Sequence, residues 1–175
     1  NLREMDRNPP QYRDGQVYVN PVVREYMRTC GSIGLISASF SFADGGQQLP
    51  YTITSACNYI FSAANYSMSV YPSLTSGAAN LIAAFGSPEM KRYYLPRMFA
   101  GEWQGTMALT EPEAGSSLSD IKTKAAMTDE GYFLIRGQKV FISAGTHSGV
   151  DNVVHLMLTR IEGAPAGVKG ISLLV

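Results

Sequence analysis

The residues best suited to chemistry lie in one short stretch, residues 107–117, where an apolar run meets hydroxyl, acidic and small side chains. Thr110 places a hydroxyl group and a backbone amide at the predicted end of a strand, and a Glu-Pro pair then turns the chain. Gly115 lets the backbone come close to a ligand, while the amides around Ser116 can converge on an anion or a carbonyl oxygen. This stretch predicts recognition of a polar ring edge or a phosphate; a surface turn held by proline and serine is the alternative.

Two carboxylates and two histidines give weaker candidate sites. Glu111 and Glu113 have the residue type of a general acid and base, but their place in a Glu-Pro-Glu turn favours a structural or solvated role. His147 and His155 are eight residues apart, and no carboxylate or thiol accompanies them at metal-ligand spacing. We therefore predict no metal site and no catalytic residue among these four.

A hydrolase or a nicotinamide enzyme is not favoured either. Ser116, His147 and Asp151 offer the residue types of a serine hydrolase, yet the sequence has no Gly-x-Ser-x-Gly elbow. It also has no Gly-x-Gly-x-x-Gly pattern, which argues against a Rossmann dinucleotide site.

The composition is that of a globular protein without a strong electrostatic bias. Of the 175 residues, 45% are hydrophobic, and 14 basic residues balance 14 acidic ones. A nucleic-acid partner therefore has no electrostatic support, and the longest apolar runs are far too short to cross a membrane. The polar start lacks an initiator methionine, which leaves open a preceding segment.

Residues 20–101 carry the signals of helices. Asn20-Pro21 predicts a helix start and Gly31 its end, and Ser87-Pro88-Glu89 predicts another start with an acidic first turn. Between them, residues 50–71 predict one helix, Pro72 the start of the next, and Gly86 its end. Helical spacing predicts a broad buried face on the first of these helices, formed by Ala56, Tyr59, Ile60, Ala63 and Ala64.

After Trp103 the pattern changes to that of strands, predicted at residues 104–110, 121–128, 132–136, 139–143, 152–160 and 170–175. Helices followed by strands predict an α+β fold, with an all-helical domain at residues 1–101 and a β-barrel-like domain at residues 102–175. The last strand stops at Val175 with its apolar side chains unpaired, so we expect this chain to be part of a longer protein.

Two motifs resemble the acyl-CoA dehydrogenase family. Thr110-Glu111-Pro112-x-Ala114-Gly115-Ser116 is similar to its signature loop, and Gly137-Gln138-Lys139-Val140-Phe141-Ile142-Ser143-Ala144-Gly145 follows at the expected distance. Residues 93–102 and 163–175 resemble the family as well. The likeness thus covers the chain from about Pro72 to its end, and two motifs in order and at the right spacing are far more specific than one.

The resemblance implies an N-terminal helical domain, a middle β domain and a C-terminal helical bundle absent from this chain, with FAD between the middle domain and the bundle. It implies α,β-dehydrogenation of an acyl-CoA thioester, with electrons passed to an electron-transfer flavoprotein. The family's catalytic base is a glutamate in or near the bundle, and no residue here matches it, so the base is expected beyond Val175. The intact protein is expected to be a homodimer or homotetramer in the cytoplasm or, in a eukaryote, in the mitochondrial matrix.

The family's flavin contacts fall on both motifs. By resemblance, Leu109 and Thr110 would contact the pyrimidine end of the flavin. Phe141 would pack on the isoalloxazine ring, and Ser143 would form a hydrogen bond near N5. Ser116 would serve the phosphate or the substrate. The implied cofactor-binding set is Met107, Leu109, Thr110, Gly115, Ser116, Phe141, Ile142 and Ser143.

Three residues depart from the family's pattern. Ser117 stands where many members have Asp, Phe141 where several have Trp, and Ser143 where Thr is common. These changes point to a subgroup such as the methylmercaptopropionyl-CoA or long-chain-like bacterial enzymes. Two alternatives stay within reach of the resemblance: an acyl-CoA oxidase, and a non-catalytic flavin-binding relative with a nucleic-acid or protein partner. The balanced charge of the chain disfavours the second.

Overall fold

Residues 2–175 are described by a computed structural model and pack as two compact units. The first unit runs to Thr106 and takes in Ala144–Val154, and the second comprises Met107–Ser143 and His155–Val175. Helices dominate the first unit and strands the second, which confirms the predicted α+β class. The domain boundary after residue 101 stays a prediction, because compact packing units and domains are different divisions of a chain.

The first unit is built mainly from helices. Val23, Met27 and Cys30 follow one another at helical spacing along its second helix, and all three are buried. A small antiparallel hairpin precedes that helix. The elements in chain order are α1 (Leu2–Arg7), β1 (Gln11–Arg13), β2 (Gln16–Tyr18), α2 (Val22–Ser32), α3 (Tyr51–Phe85) and α4 (Pro88–Phe99).

Helix α2 begins where the sequence predicts but ends later. The Asn20 side chain accepts a hydrogen bond from the Val22 amide at 3.1 Å, which satisfies one donor of the first turn. Gly31 does not end the helix, which continues to Ser32. A Cβ atom at Gly31 would lie 2.2 Å from the carbonyl oxygen of Ala100, so glycine serves close packing here and not termination.

The helix boundary predicted at Pro72 is wrong. Helix α3 spans Tyr51–Phe85 with one non-helical residue, Asn65, at φ −162° and ψ 95°. The Asn65 side chain accepts a hydrogen bond from the Met68 amide at 3.2 Å, which is the geometry of a helix N-cap. Asn65 therefore starts the second half of α3, and Pro72 lies inside that half.

The apolar face predicted on the first half of α3 is not buried against the described residues. Tyr59 is 77% exposed and Ile60 is 64% exposed, and the three alanines of that face are exposed as well. Helical spacing identifies an apolar stripe but not the surface that covers it. Despite this stripe, no helix within residues 2–175 is both long and apolar enough to cross a membrane. The buried residues of α3 are Thr54, Met68, Ser69, Pro72, Thr75, Ala78, Ala79 and Ile82.

The junction between α3 and α4 forms as predicted. Gly86 ends α3, and the Ser87 hydroxyl accepts a hydrogen bond from the Met90 amide at 3.2 Å. Pro88 occupies the first turn, where its missing donor has no cost, and Glu89 places a negative charge near the positive end of the helix dipole.

Five strands form one sheet in the order β3-β6-β4-β5, with β7 also paired to β6. β4 and β5 make an antiparallel hairpin in which Ala125 lies opposite Ile135. β4 runs parallel to β6, whereas β7 runs antiparallel to it, with Thr159 opposite Ser172. The strands are β3 (Trp103–Ala108), β4 (Lys124–Met127), β5 (Phe133–Arg136), β6 (Asn152–Ile161) and β7 (Ile171–Leu174).

The strand predicted at residues 139–143 is wrong, whereas the other five strands are confirmed with small shifts of their ends. β5 stops at Arg136, and the chain continues without regular structure through Ser143. Phe141 and Ala144 adopt left-handed backbone conformations, with φ of 57° and 48°, which interrupt an extended strand. Alternation of apolar residues does not reveal such a break.

Candidate functional site

Two segments that are distant in sequence meet in the second unit: the end of β3 and the loop after β5. The Val140 amide donates a hydrogen bond to the Thr110 carbonyl oxygen at 2.9 Å. The Lys139 ammonium group donates to the Leu109 carbonyl oxygen at 3.0 Å. The structure therefore brings together the two motifs that carry the predicted site.

The aromatic residue of the second motif is turned outward. The Phe141 side chain is 93% exposed, and its backbone lies in the left-handed region, which is uncommon for a residue other than glycine. Ile142 beside it is half-buried and Ser143 is exposed. Met107, on the other segment, is also exposed. A flat ligand could thus lie against the Phe141 ring without displacing packed side chains.

The loop that follows Thr110 closes on itself. The Glu111 amide donates to the Ala114 carbonyl at 2.8 Å, and the Ala114 amide donates back at 3.3 Å. A Cβ atom at Gly115 would meet nothing within 4 Å, and Ser116 is exposed. Gly115 and Ser116 therefore face open space and lie outside the contact between the two segments.

A buried ion pair lies beneath this loop. The Lys139 ammonium nitrogen is 2.8 Å from Glu111 Oε1, and the two side chains are only 9% and 3% exposed. The backbone amides of Lys122 and Thr123 also donate to the Glu111 carboxylate, at 2.7 and 3.1 Å. Burial alone would raise the pKa of Glu111, but the Lys139 ammonium and these two amides outweigh it and lower the pKa to about 2.

The sequence predicts a structural or solvated role for Glu111, and the structure shows the structural one; neither its partner nor its burial was predicted. Lys139 is 28 residues away, in a stretch that the apolar pattern assigns to a strand. The available signal was the lysine itself, a charged residue in front of the apolar run Val140-Phe141-Ile142. Glu113 has the solvated role, since it pairs with Lys122 at the surface.

The residues of the hydrolase alternative are engaged elsewhere. His147 Nδ1 accepts a hydrogen bond from the Gly149 amide at 3.1 Å, so Asp151 does not orient that ring nitrogen. Asp151 instead pairs with Arg24 and Arg28. Burial, and then the charge of Arg24, lower the pKa of His147. Across residues 2–175, His, Cys, Asp and Glu side chains nowhere gather in a group of three that could hold a metal ion.

The site fits the flavin predicted from the sequence. Since the Leu109 carbonyl faces Lys139 across a trans peptide, the Thr110 N–H points to the opposite side, away from the buried pair. The Phe141 ring offers an open aromatic face, and the space at Gly115 admits a phosphate or a ring edge. A hydroxyl group, an amide and an aromatic face are the groups that a flat ring with a polar edge requires.

Two family models match nearly the whole chain. The model described as "Acyl-CoA dehydrogenase, N-terminal domain" matches residues 5–102, and "Acyl-CoA dehydrogenase, middle domain" matches residues 106–175. The two matches follow one another in the order that the helical and strand regions have in this chain.

Similar proteins agree with these matches. The 3-methylmercaptopropionyl-CoA dehydrogenase of Ruegeria pomeroyi is 41% identical over 143 residues, which are 82% of this chain and 24% of that protein. An acyl-CoA dehydrogenase structure from Geobacillus kaustophilus has a TM-score of 0.75 at 28% identity, covering 86% of this chain and 39% of that one. One from Bacillus anthracis, complexed with FAD, has a TM-score of 0.72 at 27% identity, covering 86% and 25%. The chain spans well under half the length of each of these proteins.

Proposed function

The chain belongs to the acyl-CoA dehydrogenase family, and on that premise we propose that the intact protein binds FAD and dehydrogenates an acyl-CoA thioester between its α and β carbons. The observation that carries this proposal is the contact between the two motifs. It places the Thr110 amide and the exposed Phe141 ring on neighbouring, fixed stretches of backbone. A relative complexed with FAD has the same fold, which supports the choice of cofactor.

The residues of this chain bind and orient the ring. When bound, FAD supplies the acceptor for the hydride that leaves the β-carbon. The Thr110 amide and hydroxyl and the Ser143 hydroxyl are donors for its polar edge, and such fixed donors favour an acceptor that gains negative charge. Phe141 covers the ring and excludes water. The base that removes the α-proton is assigned to no residue of this chain.

The family and its relatives support a choice of substrate and partners to propose. A thioether-containing acyl-CoA is the first substrate to test, because the relative from Ruegeria pomeroyi is a 3-methylmercaptopropionyl-CoA dehydrogenase. We propose an electron-transfer flavoprotein as the electron acceptor and a homodimer or homotetramer as the intact assembly. Turnover with oxygen alone, as fast as with the flavoprotein, would make the protein an oxidase instead.

The flavin assignment is tested on the full-length protein. We expect wild type to purify with close to one FAD per chain and its visible absorbance to bleach on adding the acyl-CoA. Thr110→Ala with Ser143→Ala should weaken FAD binding about ten- to a hundredfold, because two donors to a buried polar ring are lost. Ser119→Ala is the control, since its exposed hydroxyl lies on the same loop and bonds only Ser117 and Asp120.

Two results would count against this assignment in different ways. A wild-type protein that binds no FAD contradicts the proposed function as a whole. A double variant that binds FAD as tightly as the Ser119→Ala control leaves the function standing but excludes the Thr110 and Ser143 hydroxyl groups as flavin donors.

A further inference from the structure

The Lys139 ammonium group uses all of its donors beneath the candidate site. It donates to Glu111 Oε1 at 2.8 Å, to the Leu109 carbonyl at 3.0 Å and to the Leu158 carbonyl at 2.7 Å. An ammonium group has three donors, so none is left over. One side chain thereby joins the end of β3, the signature loop and the middle of β6.

The Glu111 carboxylate is satisfied in the same way. Oε1 accepts from Lys139 and from the Thr123 amide, and Oε2 accepts from the Lys122 amide. Because both charged groups are fully bonded, the pair avoids the cost of a buried unsatisfied charge. The two side chains form a closed, rigid cluster and not a mobile surface pair.

Both peptide planes that flank Thr110 are held, one by the Lys139 side chain and the other by the backbone next to Lys139. Lys139 holds the carbonyl of the Leu109–Thr110 peptide, which turns the Thr110 N–H the opposite way. The Val140 amide, adjoining Lys139, holds the Thr110 carbonyl. Val140 also precedes Phe141, whose backbone is left-handed. The orientation of the Thr110 amide thus depends on Lys139, which also anchors the backbone two residues before Phe141.

We propose that Lys139 and Glu111 are positioning residues for the flavin, which aim the Thr110 amide at its polar edge and anchor the backbone that leads to Phe141. This inference rests on the proposed function. Neither side chain is exposed enough to touch the ring, so both act through the backbone that they hold. A pair that served only to stabilise the fold would have no effect on flavin once folding is restored.

The test separates folding from flavin binding by comparing three variants of the full-length apoprotein. Lys139→Met with Glu111→Gln removes both buried charges and keeps one acceptor oxygen for the backbone amides, which limits the loss of stability. Lys139→Arg keeps the charge, but its planar fork cannot reproduce the three bonds of an ammonium group. Lys122→Met is the control, since it breaks the surface pair with Glu113, whose side chains are 70% and 62% exposed.

Three measurements are made on each protein: far-UV circular dichroism, FAD affinity by titration, and the shape of the visible absorption band of bound flavin. We expect the double variant to fold, to bind FAD about tenfold more weakly or worse, and to show an altered band. Lys139→Arg should fold and show a smaller change of the same kind. Lys122→Met should match wild type in all three.

A folded variant of the pair that binds FAD with wild-type affinity and band shape would overturn the inference. If the double variant does not fold, Lys139→Arg is compared with Lys122→Met. Equal FAD affinities and equal band shapes in these two variants would then overturn the inference. A wild-type protein that takes up no FAD is a different result, since it contradicts the proposed function and not the positioning role alone.

Discussion

The charged clusters of the two units differ in their exposure to water. In the first unit, Arg24 and Arg28 pair with Asp151 at the surface, where the three side chains are 42% to 47% exposed. In the second unit, Lys139 and Glu111 pair with almost no exposure. Both clusters join segments that are distant in sequence, but only the second is removed from water.

The two units also differ in the size of the apolar side chains that they bury. Large apolar side chains fill the interior of the first unit, among them Met27, Ile82 and Met98, which are 0% to 2% exposed. The buried apolar residues of the second unit are mostly small: Ala108, Ala114, Ile121, Ala125 and Leu156. With less apolar area to bury, the second unit relies on a satisfied polar cluster to hold the loop at residues 110–116, whereas the first unit relies on packing.

The largest expected effect is the removal of one partner of the buried pair. Lys139→Met leaves the Glu111 carboxylate buried with only two backbone donors, which should lower the free energy of unfolding by about 3–5 kcal/mol. Lys122→Met, which breaks an exposed pair in the same unit, should change it by less than about 0.5 kcal/mol. Urea unfolding of both full-length apoproteins measures the difference, and equal midpoints would abolish the contrast between buried and exposed charge.

An intermediate effect tests the packing of the first unit. A Cβ atom at Gly105 would lie 2.5 Å from Ala78 Cβ and 3.1 Å from the Cα of Thr75, so the helix and strand must separate to admit it. Gly105→Ala should therefore lower the free energy of unfolding by about 1–3 kcal/mol. Gly77→Ala is the matched control on α3. Nothing lies within 4 Å of a Cβ atom placed at Gly77, so the added methyl group should stabilise the helix by about 0.5–1 kcal/mol.

These two glycine variants should move the thermal unfolding midpoint in opposite directions. Parallel shifts would mean that the approach of β3 to α3 is looser in solution than its distances indicate. The first unit would then not depend on tight packing, and its contrast with the polar cluster of the second unit would be lost.

Local signals predicted most of the fold and a part of the site. The Ser87 cap, the Gly86 stop and five strands follow from residues next to one another in sequence. The break at Asn65 was missed because proline is the stronger sequence signal, although an asparagine cap decided the geometry. The Lys139–Glu111 pair was missed because nothing local links residues 28 apart. The two motifs predicted the candidate site, but the ion pair beneath it is a tertiary contact.

The smallest expected effect on the free energy of unfolding is at the exposed cluster of Arg24, Arg28 and Asp151. Asp151→Asn removes the negative charge that Arg24 and Arg28 share, yet it leaves the Asp151 backbone bond to Glu102 and the Arg28 pair with the Glu102 side chain. Because these side chains stay nearly half exposed, water replaces the lost contacts, and the free energy of unfolding should fall by no more than about 1 kcal/mol. High salt screens exposed charges over about 3 Å at 1 M, so the difference between Asp151→Asn and wild type should largely vanish there, whereas the Lys139→Met effect should persist. Urea unfolding at low and high salt measures both. A loss at Asp151 above about 2 kcal/mol that salt does not reduce would show that this cluster is desolvated like the Lys139–Glu111 pair, and the contrast between the units would fail.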